Sequence, residues 1–327
     1  MLSLIIPVYR NEANLDRLLV ELCSLDQRFP DDLEVIFVVD GSPDRCLELL
    51  RTQLPSLPLR SELISLSRNF GSFNAIVAGL NAGSGNCFAV LAADLQEPPD
   101  LVLQFYEILN ADVADIVFGC RTKRTDPWLS ELSARLFWAL YRRFVVKDLP
   151  AGGVDIFGCT RQVRDHIVRF REANTNLIAL LFWLGFRRQY VGYERLPRLE
   201  GESAWTLVKK LRYCVDSIFN FTDLPIRLLL GAGVLACAVA VLAGFAVLIA
   251  KLNGDIAVPG YAATALLILF FGGTMTLGIG VIGQYIWLSL QNVRHRPNFV
   301  IASAERFSID VSQNVSRFRE DAAVPKN

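Results

Sequence analysis

The chain has 327 residues, enough for one globular domain with a membrane appendage, and its 33 lysines and arginines balance 33 aspartates and glutamates. That balance excludes the uniformly basic surface of a nucleic-acid-binding protein, so no nucleic acid is expected as partner. Hydrophobic residues make up 52%, a share inflated by two uncharged stretches near the C-terminal end.

Up to Gly119, short apolar runs alternate with helical patterns. Residues 2–8, 33–39, 63–66, 87–92 and 116–119 are expected as strands, and 14–25, 43–54, 73–82 and 100–111 as helices. Continuously apolar strands separated by helices predict an α/β fold whose largely parallel sheet is covered on both faces. In such sheets ligands bind beyond the carboxyl ends of the strands, so the residues just after each strand are diagnostic. Pro7-Val8-Tyr9-Arg10-Asn11-Glu12 closes the first and Asp40-Gly41-Ser42 the second. Ser67-Arg68-Asn69-Phe70-Gly71 comes after the third, and Asp94-Leu95-Gln96-Glu97-Pro98-Pro99 after the fourth. One such loop is ordinary turn chemistry. Four at one edge of a sheet point to a ligand site.

Further along, a helix is expected over 129–144, with Trp138 and Tyr141, and then a turn at Gly152-Gly153-Val154-Asp155. Residues 176–185 read as an apolar helix and 193–203 as a charged loop. From 204 to 221, Trp205, Val208, Leu211, Val215, Ile218 and Phe219 recur at three- and four-residue steps opposite Lys209, Lys210 and Arg212. That pattern suits a helix lying in the headgroup layer, or equally one packed on the head's own core.

Residues 228–250 and 261–287 carry no charge, and each is long enough for a hydrocarbon core of roughly 30 Å, which takes about 20 residues. The link between them is too short for a domain. Arg187, Arg188, Arg195, Arg198, Lys209, Lys210 and Arg212 precede the first stretch, and Arg294 and Arg296 come after the second. The link holds only Lys251 against Asp255, so the positive-inside rule puts both ends of the hairpin, and the head, in the cytoplasm. The apolar run 2–8 is too short for a signal peptide. Seven scattered cysteines form no CxxC pair and no zinc spacing with His166 and His295, as expected of reduced thiols. The tail after Ser303 is polar and expected to be loose.

PVYRNEANL, VVDGSPD, SRNFGSFNAIVAGL, AADLQEPPD and YERLPRLEGES resemble segments of the inverting GT-A glycosyltransferases of family 2. More narrowly they resemble the polyprenyl-phosphate branch, which includes dolichol-phosphate mannose synthase and the bacterial undecaprenyl-phosphate glucosyl- and aminoarabinosyltransferases. The resemblance runs roughly from Leu2 to Arg296. It implies a Rossmann-like GT-A head over 1–203, a juxtamembrane amphipathic helix over 204–225, a two-helix transmembrane hairpin within 226–290 and a cytoplasmic tail over 291–327. The implied activity is inverting transfer of one sugar from a nucleotide-sugar donor, expected to be UDP-linked, to a polyprenyl phosphate. It would act at the cytoplasmic face of the inner membrane in envelope glycan modification. Relatives often assemble through the hairpin, which leaves a homo-oligomer open.

The resemblance also implies roles. Asp94 and Gln96 match the family's DxDxQ segment and would bind Mg²⁺ or Mn²⁺ with the donor's phosphates. The first acid of that segment is Ala92 here, which leaves a weaker metal site, and a simple strand-end cap is the other reading of Asp94. Asp40 is expected at the nucleoside, with Pro7, Tyr9 and Glu12 enclosing base and ribose; Glu12 otherwise reads as a helix N-terminal acid. Arg68 and Asn69 otherwise hold the third loop against the sheet. Asp155 aligns with an acidic position beside the reacting sugar and joins Asp94 as a candidate catalytic residue, although the arginine common two residues later is Phe157. A solvated turn acid is the alternative. Arg121, Arg195 and Ser203 are expected on phosphate, which guanidinium forks suit. Arg198, Lys209 and Lys210 read as rim charges facing anionic lipid. Two alternatives stay open: a catalytically degenerate nucleotide-sugar-binding membrane protein, suggested by Ala92, and a processive polysaccharide synthase. The synthase is disfavoured by the lack of a QxxRW segment and by only two spans.

Overall fold

A computed structural model describes residues 1–29, 33–122, 150, 154–170, 176–196, 219, 224–253, 260–294 and 296–307. Four strands, β1 (Leu2–Val8), β2 (Leu33–Val39), β3 (Ser61–Leu66) and β4 (Cys87–Val90), are buried along almost every residue. Only strands covered on both faces show that pattern. β1 pairs in parallel with both β2 and β4, and β2 pairs in parallel with β3.

The covering layers come from side-chain alternation. Leu4, Ile6 and Val8 of β1 join the apolar cluster of α1 (Leu15–Asp26), α2 (Cys46–Gln53) and α4 (Asp100–Asn110). Ile5, on the opposite face, belongs with Ile76 and Leu80 of α3 (Ser72–Ala82). In α1 the buried residues are Leu15, Leu18, Leu19, Leu22 and Leu25, an apolar stripe at helical spacing.

Four strands sit outside the simple parallel pattern. After β5 (Ile116–Arg121) comes β6 (Ile156–Thr160), which runs antiparallel to both β4 and β5. β7 (Arg188–Tyr193) lies parallel to β5 on its outer side. β8 (Ile301–Phe307) pairs antiparallel with β3, giving the order β7-β5-β6-β4-β1-β2-β3-β8. Two inversions restore direction, so β5 and β7 point the same way as β1–β4. Their carboxyl ends and the entrance of β6 therefore share one edge.

α5 (Arg161–Arg169) and α6 (Leu177–Trp183) add Val163, Ile167, Leu177 and Phe182 to the second cluster. Asn176 caps α6, its Oδ1 accepting from the amides of Ile178 and Ala179 at 3.0 and 3.3 Å.

Several sequence expectations change. The helix expected from 43 starts at Cys46, because the Asp44 carboxylate accepts from Ser42 Oγ at 2.6 Å and holds the preceding turn. The fourth strand ends at Val90, two residues early, and releases the chain toward the site. The charged loop expected from 193 begins one residue later, since Tyr193 closes β7. The tail is not loose at Ser303. β8 continues to Phe307, and Arg306 Nε donates to Glu62 Oε2 at 2.9 Å while Arg51 Nε donates to Glu305 Oε1 at 2.9 Å. An edge strand with one face to solvent carries just such polar residues. The expected helix over 129–144, that over 204–225 save Phe219, Leu224 and Pro225, the Gly152-Gly153 turn, Ser203, Arg198, Lys209 and Lys210 lie outside the described residues.

After the head come two long helices, α7 (Leu224–Leu252, 29 residues) and α8 (Tyr261–Val293, 33 residues). Counted over the described residues alone, no helix is long and apolar enough to cross a membrane. Some side chains within α7 and α8 fall outside that count, while the backbone of each is helical without a break.

Candidate active site

The edge shared by β4, β5, β6 and β7 gathers the chemistry. Beyond β4 the amide of Leu91 still donates to the carbonyl of Ile5 at 3.0 Å, and then the chain turns sharply. Leu95 has φ +52, a left-handed conformation that costs a leucine on the order of 1 kcal/mol and is held where surrounding structure enforces it. The enforcement is visible on both sides. The Gln96 amide donates to Asp94 Oδ1 at 3.3 Å, and the Leu196 amide donates to the Gln96 carbonyl at 2.8 Å. Gln96 Nε2 returns a bond to the Leu196 carbonyl at 3.4 Å, and Arg195 Nη2 donates to Gln96 Oε1. Segment 94–97 and segment 195–196 are thus stitched together.

The second half of the cluster is built by strand register. Arg121 and Tyr193 are partners at the ends of β5 and β7, and Asp155 immediately precedes β6, its amide donating to the Gly119 carbonyl at 3.3 Å. Arg121 grips the Asp155 carboxylate with two nitrogens, Nε on Oδ2 and Nη2 on Oδ1 at 2.7 Å. The Tyr193 hydroxyl donates to Asp155 Oδ2 at 2.7 Å. Burial, joined by the Asp155 and Glu97 carboxylates, pushes the Tyr193 hydroxyl well above its ordinary range, so it stays a donor.

Between the halves lies Glu97, 3% exposed, its buried Oε2 without a partner among the described residues. Burial first, then the Asp94 and Asp155 carboxylates, push its carboxyl up to about 7, against the opposing pull of Arg195 and Arg121. Glu97 stands inside the Asp94–Pro99 motif, yet the sequence assigned it no role. An acid inside a Gln-Glu-Pro-Pro turn, at the edge where ligands bind, was the available signal.

The expected nucleoside side looks different. Asp40, 2% exposed, accepts from the amides of Phe70 and Gly71 at 2.7 and 2.8 Å, and Asn69 Nδ2 donates to its carbonyl at 3.3 Å. Burial raises its carboxyl, with those two amides opposing. Both carboxylate oxygens therefore clamp the third loop, and Asn69 takes the structural role that was its alternative. Arg68 lies over the Phe70 ring at 4.1 Å. Gly41 has φ +55, and a Cβ there would stand 2.3 Å from the Arg68 carbonyl carbon, so only glycine lets the second and third loops meet. Glu12 is gripped by Arg45, whose Nε and Nη2 donate to Oε1 at 2.9 and 2.7 Å and whose amide donates to Oε2 at 3.0 Å. That amide, then the guanidinium, holds the Glu12 carboxyl below the usual carboxylate range. Pro7 is inside β1 opposite Val38, and Tyr9 stands at its mouth with the Arg10 guanidinium 5.4 Å above its ring.

The fit to a divalent ion is partial. Asp94 offers a half-buried carboxylate, but the Gln96 amide oxygen already accepts from Arg195. Among the described residues no group of three or more histidines, cysteines, aspartates or glutamates is placed to hold a metal. Asp94 fits a shell completed by phosphate oxygens and water. Gln96 Oε1 keeps a second lone pair, but an ion held there would sit beside the Arg195 guanidinium.

Similarity to known proteins accords with this geometry. The family model described as glycosyl transferase family 2 matches residues 3–170. The uncharacterized glycosyltransferase YkcC of Bacillus subtilis (strain 168) is 33% identical over 300 residues, covering 91% of this chain and 92% of that protein. The SfII prophage-derived bactoprenol glucosyl transferase of Shigella flexneri is 29% identical over 306 residues, covering 93% of this chain and 98% of that protein. With more than half its length matched and a loop-edge site of carboxylates and guanidiniums, the chain belongs to glycosyl transferase family 2.

Proposed function

We propose that the protein transfers one sugar from a UDP-linked donor to a polyprenyl phosphate at the cytoplasmic face of the inner membrane, inverting the anomeric centre by a single in-line displacement. The observation that carries this reading is the convergence of Asp94, Glu97, Arg121, Asp155, Tyr193 and Arg195 at one sheet edge. The likeness to a bactoprenol glucosyl transferase over nearly the whole chain supports the lipid acceptor.

The chemistry asks little of a general base. A phosphate monoester is already an anion near neutral pH, so positioning and electrostatics carry the rate. Asp155, oriented by Arg121 and Tyr193, can accept a hydrogen bond from a sugar hydroxyl and fix the sugar for attack. The positive charges of Arg121 and Arg195 offset repulsion between an acceptor phosphate and a donor diphosphate. A divalent ion on Asp94, Mg²⁺ or Mn²⁺, would stabilise charge on the departing diphosphate.

Support for the membrane setting comes from α7 and α8. At 1.5 Å per residue, a helix of 29 residues extends about 43 Å, beyond a hydrocarbon core of roughly 30 Å. Leu228, Leu235, Leu242, Phe245, Ile268, Phe270 and Leu277 are all exposed, as suits side chains bathed in lipid. β8 brings the chain back to the head after α8, in keeping with a hairpin that enters and leaves on the head's side.

The test is incubation of purified full-length protein with a panel of radiolabelled nucleotide sugars and undecaprenyl phosphate. Label in the organic phase with one donor is expected. Donor binding without such label would instead favour the degenerate, non-catalytic reading that Ala92 motivates.

A further inference from the structure

Among the described residues, two buried polar atoms at this site lack partners, and they are complementary. Glu97 Oε2 is an acceptor and Arg195 Nε a donor. They share one stitched cluster, because the neighbouring nitrogen of the same guanidinium, Nη2, is held by Gln96, the residue before Glu97. A buried donor or acceptor left unmet is costly, so a resting site that leaves both open is shaped for a visitor.

We propose that Glu97 Oε2 and Arg195 Nε together form the seat for one hydroxyl group of the transferred sugar, making Glu97 a specificity-determining residue. The inference rests on the nucleotide-sugar reading above and adds to it the group that is recognised. A hydroxyl accepts from Nε–H and donates to the carboxylate at once. Phosphate fits only while Glu97 is protonated: its oxygens accept from Arg195 but donate nothing to the Glu97 carboxylate, whereas a hydroxyl serves both protonation states. The near-neutral titration of Glu97 is compatible with the seat, since a hydroxyl oxygen also accepts from a protonated carboxyl. A site that hydrogen-bonds a substrate hydroxyl rejects the analogue lacking it far more strongly than an apolar pocket could.

The test is calorimetric binding of UDP, UDP-glucose and the four UDP-monodeoxyglucoses (2-, 3-, 4- and 6-deoxy) to full-length protein, without acceptor. Wild type should bind one deoxy analogue about 10-fold or more weakly than UDP-glucose. Glu97→Leu should weaken UDP-glucose by a similar factor, leave UDP within about twofold, and abolish the penalty for that same analogue. Glu97→Gln should recover most of the loss. The proposal is overturned if all four deoxy analogues bind wild type within about twofold of UDP-glucose, which needs no variant to fold, or if wild type does not bind UDP-glucose. It is equally overturned if Glu97→Leu weakens UDP and UDP-glucose alike. Failure of the transfer reading shows separately, as intact hydroxyl discrimination without label in the organic phase.

Discussion

The Tyr193 hydroxyl and the Asp155 carboxylate meet at 2.7 Å across β5, joining the exit of β7 to the entrance of β6. Arg121, the last residue of the strand between them, grips the same carboxylate, sharing Oδ2 with the phenol and holding Oδ1 as well. Three strands thus aim one acid.

Removing only the Tyr193 oxygen should therefore misdirect Asp155 without removing it. Tyr193→Phe is expected to lower kcat about 10-fold while leaving KM for the donor within about twofold. Because the phenol's ionisation is displaced upward, the wild-type rate should show no tyrosine titration up to pH 10. A raised KM with kcat unchanged would mean that Asp155 serves binding alone.

Glu97 gives a stability prediction with a definite sign. Its folded carboxyl titrates at about 7 against an ordinary 4.5, so the folded state binds more protons between those values. Its contribution is present in full below about pH 4.5 and is lost as pH rises through about 7. The difference corresponds to on the order of 3 kcal/mol. Glu97→Gln, uncharged at every pH, should match wild type in thermal unfolding near pH 4.5 and exceed it increasingly toward pH 8. A constant offset across that range would show that Glu97 is not buried as an acid.

Gly41 is where two loops touch backbone to backbone. Gly41→Ala combines a strained φ of +55 with a Cβ 2.4 Å from the Asn69 nitrogen, and should destabilise the head by about 2 kcal/mol or more. The Ser67–Gly71 loop would be pushed off Asp40, so UDP affinity should fall with it. Unchanged unfolding and unchanged UDP binding would refute the contact.

Metal dependence should rest on Asp94 more than on Gln96. Asp94→Asn is expected to cut transfer at least about 100-fold and to abolish any effect of Mn²⁺ on UDP affinity. Gln96→Ala should keep that Mn²⁺ response while releasing Arg195. The reverse pattern would make Gln96 the principal ligand.

The core of the fold was readable because β1 and β2 are apolar on both faces, and their expected and observed limits coincide at Leu2–Val8 and Leu33–Val39. β6, β7 and β8 were not. Each is short or polar, and its pairing depends on residues far along the chain. Asp155 was singled out through the family resemblance alone, because no local pattern announces that antiparallel β6 returns it to the edge holding Asp94. Asp40 and Glu12 were expected at the nucleoside, and the partners they hold here, the Phe70 and Gly71 amides and Arg45, are visible only in three dimensions. Glu97 was passed over because burial, which gives it its chemistry, leaves no mark in sequence.

The most direct test of single-sugar transfer to lipid is a stoichiometry: UDP released from UDP-[¹⁴C]glucose against label recovered in undecaprenyl-phosphate-dependent organic extract. One label per UDP, with one sugar per lipid by mass spectrometry, is the predicted result. UDP release without lipid-borne label, or lipids carrying several sugars, would contradict it.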